Sequence, residues 1–219
     1  MAIKWSKASE NPVSQVRFFR EDNGRTRFLT EEEETRLLAC CSASLRPLVI
    51  TALHTGFRKS ELLTLGWEHV DFRHRLITVE SAYAKNSETR SIPMTTTLME
   101  TLRPLKEEAE PSVSVFQTHK GTPYKHIAKV FRAACKRAGL TDMTFHDLRH
   151  TFASRLVMAG VDLPTVQAFM GHKTIAMTMG YTHLAPGHKR TAIAVLDRVQ
   201  EKVPAIFPTE RETTGRRAL

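Results

Sequence analysis

Between Thr144 and Leu184 the chain reads TFHDLRHTFASRLVMAGVDLPTVQAFMGHKTIAMTMGYTHL. His146 and His150 flank Arg149, a Gly171-His172 pair follows, and Tyr181 closes the series. Guanidinium and imidazole groups suit the charged oxygens of a phosphate, and a phenol that loses its proton can attack phosphorus covalently. These residue types point to one half of a phosphoryl-transfer centre with Tyr181 as nucleophile. The other half must come from earlier in the chain. Taken singly, each residue has an ordinary explanation: a capping histidine, a surface arginine, a hydrogen-bonding loop histidine, and a half-buried tyrosine with its hydroxyl satisfied.

Helical geometry brings the first of these groups together. Thr144-x-x-Asp147 has capping-box spacing, so a helix should begin near His146. His146 and Arg149 then lie on neighbouring faces of its first turn, beside amides and a dipole that favour an anion. Leu148, Phe152 and Leu156, each four apart, turn toward the core. His146 and His150 also have the spacing of the zinc-binding H-E-x-x-H motif. Asp147 is shorter than the glutamate base that motif needs, and Arg149 puts a cation beside the would-be ligands. With no clear third ligand following, no metal is expected. Gly171 ends a helix begun near Leu163 and lets the chain turn sharply, which aims His172 back toward the first helix.

The earlier elements must position the rest. Thr30 with Glu33 forms a capping box for a helix running to about Cys40, and its acidic first turn suits the helix dipole. Leu45 to Thr55 is nearly all apolar, hence a buried helix stopped by Gly56. Arg58 follows, then a short helix carrying Glu61. Short β runs at Leu76 to Val79 and Arg90 to Met94 predict a small antiparallel sheet, with Lys85 at its rim. A helix is expected from about Thr97 to Glu108, kinked at Pro104 and ended by Pro111. Val113 to Phe116 reads as a brief strand and Gly121-Thr122-Pro123 as a turn. Tyr124 to Ala138 reads as an amphipathic helix with Lys125, Lys129, Arg132 and Lys136 on its polar face, capped by Gly139. Those four cations are compatible with DNA contact or with an ordinary solvated face. The expected fold class is α+β: mainly helical, with a small antiparallel sheet at one edge.

The net charge of +9 over 219 residues raises the odds of a polyanionic partner, because a basic surface gains from the release of condensed counterions. Cys40, Cys41 and Cys135 show neither C-x-x-C spacing nor an even count, which fits a reducing compartment. No apolar run approaches a membrane span, and the start lacks the apolar core of a signal peptide. A cytoplasmic protein without membrane association is expected.

Taken together, the boxes resemble the tyrosine recombinase (phage integrase) family from about Phe28 to Leu184. The family's first arginine box is present as Thr55-Gly56-Phe57-Arg58-Lys59-Ser60-Glu61-Leu62-Leu63-Thr64-Leu65-Gly66-Trp67. Its hairpin lysine, followed by an arginine and a proline, corresponds to Lys85 with Arg90 and Pro93. Its H-x-x-R box is His146-Asp147-Leu148-Arg149, its Gly-His pair is Gly171-His172, and its tyrosine is Tyr181. The resemblance implies strand cleavage of double-stranded DNA through a 3′-phosphotyrosyl intermediate, without cofactor or metal. It assigns the phosphate clamp to Arg58 and Arg149, the base to His146, the general acid to Lys85 and a phosphate hydrogen bond to His172. Glu61 holds a neighbouring site residue in place.

The implied organisation is a lead-in over 1–27, a catalytic domain over 28–206 and a flexible tail over 207–219. Residues Gly187 to Val203 read as a last helix, one that in the family often docks on a neighbouring protomer of a tetramer. The family usually carries a helical DNA-binding domain ahead of the catalytic one. Because Phe28 already opens the catalytic part, the expectation is either an excised catalytic domain or a short protein. Two alternatives share the motifs: a type IB topoisomerase relaxing DNA, and a non-catalytic DNA-binding module derived from a recombinase.

Overall fold

The computed structural model describes residues 27–80, 89–109, 114–118, 120–185 and 193. Lys85, the remainder of the lead-in and the C-terminal tail lie outside them, as do Val113 and most of the helix expected over Gly187 to Val203. Eight α-helices and one three-stranded sheet form among the described residues.

Helix α1 (Glu31–Ala39) starts as its sequence requires: Thr30 Oγ1 accepts from the Glu33 amide while the Glu33 carboxylate accepts from the Thr30 amide. Helix α2 (Arg46–Thr55) is the central rod; its Leu48, Val49, Ala52 and Leu53 are buried. Gly56 ends it in the left-handed region at φ 63°, a conformation that costs any residue with a Cβ. Helix α3 (Lys59–Leu63) then leads through a 3-10 turn at Trp67–His69 into β1 (Val70–Asp71). Strands β2 (Leu76–Val79) and β3 (Arg90–Pro93) complete an antiparallel sheet in the order β1-β2-β3. The register pairs Ile77 with Ile92 and Val79 with Arg90. Residues directly opposite share a face, so Arg90 lies on the side of Val79 and Ile92, both buried. Thr78 and Ser91 hydrogen-bond at 2.8 Å on the other side.

Helix α4 (Thr96–Glu107) is capped by Thr95, whose hydroxyl accepts from the Leu98 amide, and carries Pro104 inside it. Helix α5 (Ala128–Arg137) begins four residues later than Tyr124. Tyr124 is instead buried, its hydroxyl donating to Ser44 Oγ at 2.8 Å, and this anchor holds the preceding chain out of the helix. Lys125 therefore precedes α5 rather than sitting on it. The expected strand near Phe116 is, among the described residues, only an isolated bridge from Ser114 to Gly66.

Helix α6 (His146–Met158) packs across α2, and α7 (Leu163–Met170) packs on α6 and on β3. The Thr144–Asp147 box is half formed: Asp147 Oδ2 accepts from the Thr144 amide and hydroxyl, while Phe145 is the N-cap residue and gives no side-chain bond. Helix α8 (Ile175–Met179) is short and ends just before Tyr181. The main core runs from Leu37 through α2 and the sheet to Leu148. A smaller cluster of Phe152, Ala153, Val157, Val166, Met170 and Tyr181 lies between α6, α7 and the turn after α8. Among the described residues no helix is long and apolar enough to cross a membrane.

Candidate active site

Arg149 projects from the first turn of α6 into the interior and is 3% exposed. Burying a guanidinium is costly unless its donors are satisfied, and two backbone carbonyls each take one of them. Nη1 donates to Gly56 O at 2.6 Å and Nη2 donates to Met170 O at 2.5 Å. Arg58, the residue before α3, donates Nη2 to Gly171 O at 3.0 Å. Met170 and Gly171 are consecutive, so two arginines distant in the chain meet at one point, the C-terminal end of α7. Carbonyls there carry the negative end of the helix dipole and suit cations.

Glu61 ties this pair to the sheet. Its Oε1 accepts from Arg58 Nη1 at 2.9 Å and Arg90 Nη1 at 3.2 Å. Its Oε2 accepts from Arg90 Nη2 at 2.5 Å and the Arg58 amide at 2.7 Å. Arg90 also donates Nε to Phe169 O at 3.0 Å and lies 5.2 Å from the centre of the Phe57 ring. Burial works to raise the Glu61 pKa, but the bonds and charges of Arg90 and Arg58 outweigh it, and the carboxyl stays below its ordinary range. Three guanidiniums thus surround one carboxylate, which bonds two of them, Arg58 and Arg90. Burial, with Arg58 and Arg90 adding repulsion, brings Arg149 down to about 9; it is still a cation at neutral pH. The surplus positive charge is what an anion would neutralise.

Two further groups reach this centre from the C-terminal side. Gly171 caps α7 at φ 59°, and His172 follows it with Nδ1 2.9 Å from Thr178 Oγ1 of α8. Burial, then Arg149 and Arg58, lower His172 to about 4, so the ring is neutral. Tyr181 is 4% exposed. Burial pushes its phenol up to about 12, with Arg149 close enough to pull it partly back. The Tyr181 hydroxyl lies 2.6 Å from His150 Nδ1. His150 is held below its ordinary value by burial, Arg149 adding and Asp147 opposing. His146 faces solvent from the first turn of α6, its ring edge-to-face with His150 at 4.8 Å.

Lys125, Lys129, Arg132 and Lys136 are all exposed. Arg132 joins Lys59, Thr144 and His146 around a depression beside the start of α6. Among the described residues, no group of three or more His, Cys, Asp or Glu side chains could hold a metal ion.

A profile of the phage integrase family matches residues 27–188. The chain belongs to the phage integrase family. It is 32% identical over 196 residues to the integrase of Salmonella phage P22, covering 84% of this chain and 50% of that protein. It is 33% identical over 178 residues to tyrosine recombinase XerC of Staphylococcus aureus, covering 77% of this chain and 57% of XerC. The chain thus spans about half the length of these curated relatives. Among solved structures, the catalytic domain of bacteriophage HP1 integrase superposes with a TM-score of 0.64 at 29% identity. That match covers 82% of this chain and all of the HP1 domain.

Within this integrase-family fold, Arg58, Glu61, Arg149, His172 and Tyr181 lie close together. His146 stands at the rim, and Lys85 lies outside the described residues. Two site residues were not singled out for these roles by sequence. Arg90 was legible as a cation on the apolar side of an alternating strand, two residues before Ile92. His150 is legible as one helical turn beyond His146, but the sequence pattern gives it no contact with Tyr181.

Proposed function

We propose that this chain is the catalytic portion of a site-specific DNA recombinase that cuts and rejoins double-stranded DNA by transesterification, for integration or excision of phage or mobile-element DNA. The supporting observation is the meeting of Arg58 and Arg149 on adjacent carbonyls at the end of α7, with Tyr181 near enough to feel the charge of Arg149. In this reading residues 28–206 form the catalytic domain, 1–27 a lead-in and 207–219 a tail. In the full-length context the working assembly is a homotetramer on DNA in the cytoplasm, while the isolated domain is a monomer.

Attack on a phosphodiester builds negative charge on the non-bridging oxygens. Two guanidinium forks hold that charge in a fixed geometry that lysines would not, and donors placed in advance lower the barrier where the charge develops. In the tautomer that serves this role, Thr178 donates to His172 Nδ1, 2.9 Å away, and His172 presents its Nε2–H to a phosphate oxygen. His146, at the open rim, faces the same phosphate. Tyr181 attacks phosphorus, the 3′-phosphotyrosyl bond forms, and Lys85 protonates the departing 5′-oxygen. The new ester conserves the energy of the broken bond, so a second 5′-hydroxyl reverses the step on a new strand without ATP. Lys125, Lys129, Arg132 and Lys136 carry the DNA toward His146.

The test is covalent capture. The full chain is incubated in EDTA with nicked duplexes carrying a randomised central segment, and detergent-stable adducts are isolated and sequenced. The expected result is an adduct on a restricted set of sequences, absent for Tyr181→Phe although that variant still binds the selected duplex. An adduct formed by Tyr181→Phe removes Tyr181 as nucleophile. An adduct formed only when a divalent ion is added removes the metal-free mechanism.

A further inference from the structure

The geometry points to His150 as the group that takes the phenolic proton from Tyr181 during cleavage and returns it on rejoining. This assignment rests on the recombinase reading above and deepens it, because the family pattern places the base at His146.

Three observations carry it. First, the ring nitrogen within hydrogen-bond distance of the nucleophilic oxygen belongs to His150, with Nδ1 and Oη 2.6 Å apart. A proton acceptor needs that reach. Second, His150 and Tyr181 are 31 positions apart and come from different elements, so the contact is built by the fold and not by local chain geometry. The Tyr181 ring is locked among Phe152, Val157, Val166 and Met170, which fixes the phenol against the histidine. Third, His146 packs edge-to-face on His150 at 4.8 Å, on a ring that itself lies 5.8 Å from that of Tyr181. His146 therefore borders the acceptor and completes its surroundings.

The electrostatics make the acceptor responsive to substrate. The charged and titratable groups around His150 are His146, Asp147 and Arg149 on its own helix, with His172 and Tyr181 from the C-terminal side. Burial and Arg149 oppose a positive charge on the imidazole and outweigh Asp147, which favours it. A phosphodiester between Arg149 and Arg58 brings one negative charge to the same place, and the cost of an imidazolium falls. Proton transfer is then favoured at the moment when the phosphate is present to be attacked. The step balances as follows. The Tyr181 O–H bond breaks and an N–H bond forms at His150 Nδ1. Oη bonds to phosphorus as the P–O5′ bond breaks, and the 5′-oxygen takes its proton from the general acid. Rejoining runs each step backward, and the proton on His150 returns to the phenol.

A role as a mere anchor for Tyr181 predicts something different, and His150→Asn separates the two. The asparagine Oδ1 sits close to where Nδ1 was and still accepts the hydrogen bond, but it takes no proton. Adduct formation on the selected nicked duplex is followed against pH for the wild type, His150→Asn and His146→Gln. For the wild type the rate rises as His150 loses its proton and then levels off. For His150→Asn the rate near neutral pH falls by about 10²-fold or more, the usual worth of a positioned base. The plateau is replaced by a continued rise with pH, because hydroxide must now remove the proton. His146→Gln lowers the rate but keeps the plateau. A wild-type rate or an unchanged profile in His150→Asn overturns the assignment, as does loss of the plateau in His146→Gln alone. Failure of the wild type to form any adduct overturns the recombinase reading itself, a distinguishable outcome. Should His150→Asn not fold, the wild-type chain labelled with ¹⁵N-histidine decides. An unprotonated His150 Nδ1 at neutral pH is expected, and a protonated one overturns the proposal.

Discussion

Glu61 shows how much a single carboxylate can carry. Its side chain is fully buried and accepts from Arg58 and Arg90 at once. Removing one member of such a group leaves buried charge without compensation, which costs about 3–5 kcal/mol. Glu61→Gln should therefore lower the unfolding free energy by about 3 kcal/mol, measured by denaturant titration. The pH dependence has a definite sign. The folded-state pKa of Glu61 is depressed, so its contribution is fully present above the ordinary carboxylate pKa of about 4.3 and is lost as pH falls through the lower, folded value. The gap between wild type and variant should close on acidification below about pH 4; a gap constant down to pH 3 would rule out this linkage. Residue types and spacing announced Glu61, Arg58, Arg149, His172 and Tyr181. They did not announce Arg90 as a partner of Glu61, because that pairing depends on which face of β3 turns inward. Nor did they announce His150, because its meeting with Tyr181 is a long-range product of packing.

At the scale of elements, the centre depends on two helix ends. Gly56 closes α2 and Gly171 closes α7, both left-handed, and Arg149 and Arg58 bind carbonyls at or beside those turns. A Cβ at Gly56 would run into the Phe152 ring. The left-handed conformation costs a non-glycine residue about 1–2 kcal/mol, and overpacking adds about 1–3 kcal/mol. Gly56→Ala is expected to destabilise by about 2 kcal/mol or more, a fall in Tm of roughly 4–8 °C for a chain of this size. It should also slow adduct formation, since the displaced carbonyl is the one that holds Arg149 Nη1. A variant with wild-type Tm would mean that Phe152 moves aside at no cost. Both stops were legible, since glycine after an apolar helical run is a strong signal. The start of α5 was not: periodicity continues back to Tyr124, and only the tertiary bond to Ser44 tells that Tyr124 is an anchor. Strand β1 was missed for another reason, as two residues carry no detectable alternation.

For the whole molecule the open question is where its surplus of nine positive charges is used. Helix α5 is placed to use part of it. Its buried face of Phe131, Ala134 and Cys135 fixes it to the core, and Phe131 meets Phe145, the residue before α6, edge-on at 5.2 Å. That contact sets the exposed Arg132 beside His146 at the mouth of the site, with Lys129 and Lys136 exposed on the same helix. If these cations lie against phosphates, each contact releases condensed counterions, and the plot of log affinity against log salt steepens by about 0.9 per contact. Replacing all three by glutamine should flatten that slope by between about 1 and about 3, measured by fluorescence anisotropy on the selected duplex. Arg132→Gln alone should account for about one contact, because Arg132 shares its depression with His146. The adduct rate at saturating DNA should stay near that of the wild type, since none of the three touches Tyr181, His150 or the clamp among the described contacts. An unchanged slope would make α5 an ordinary solvated face and move the DNA path to another part of the surface.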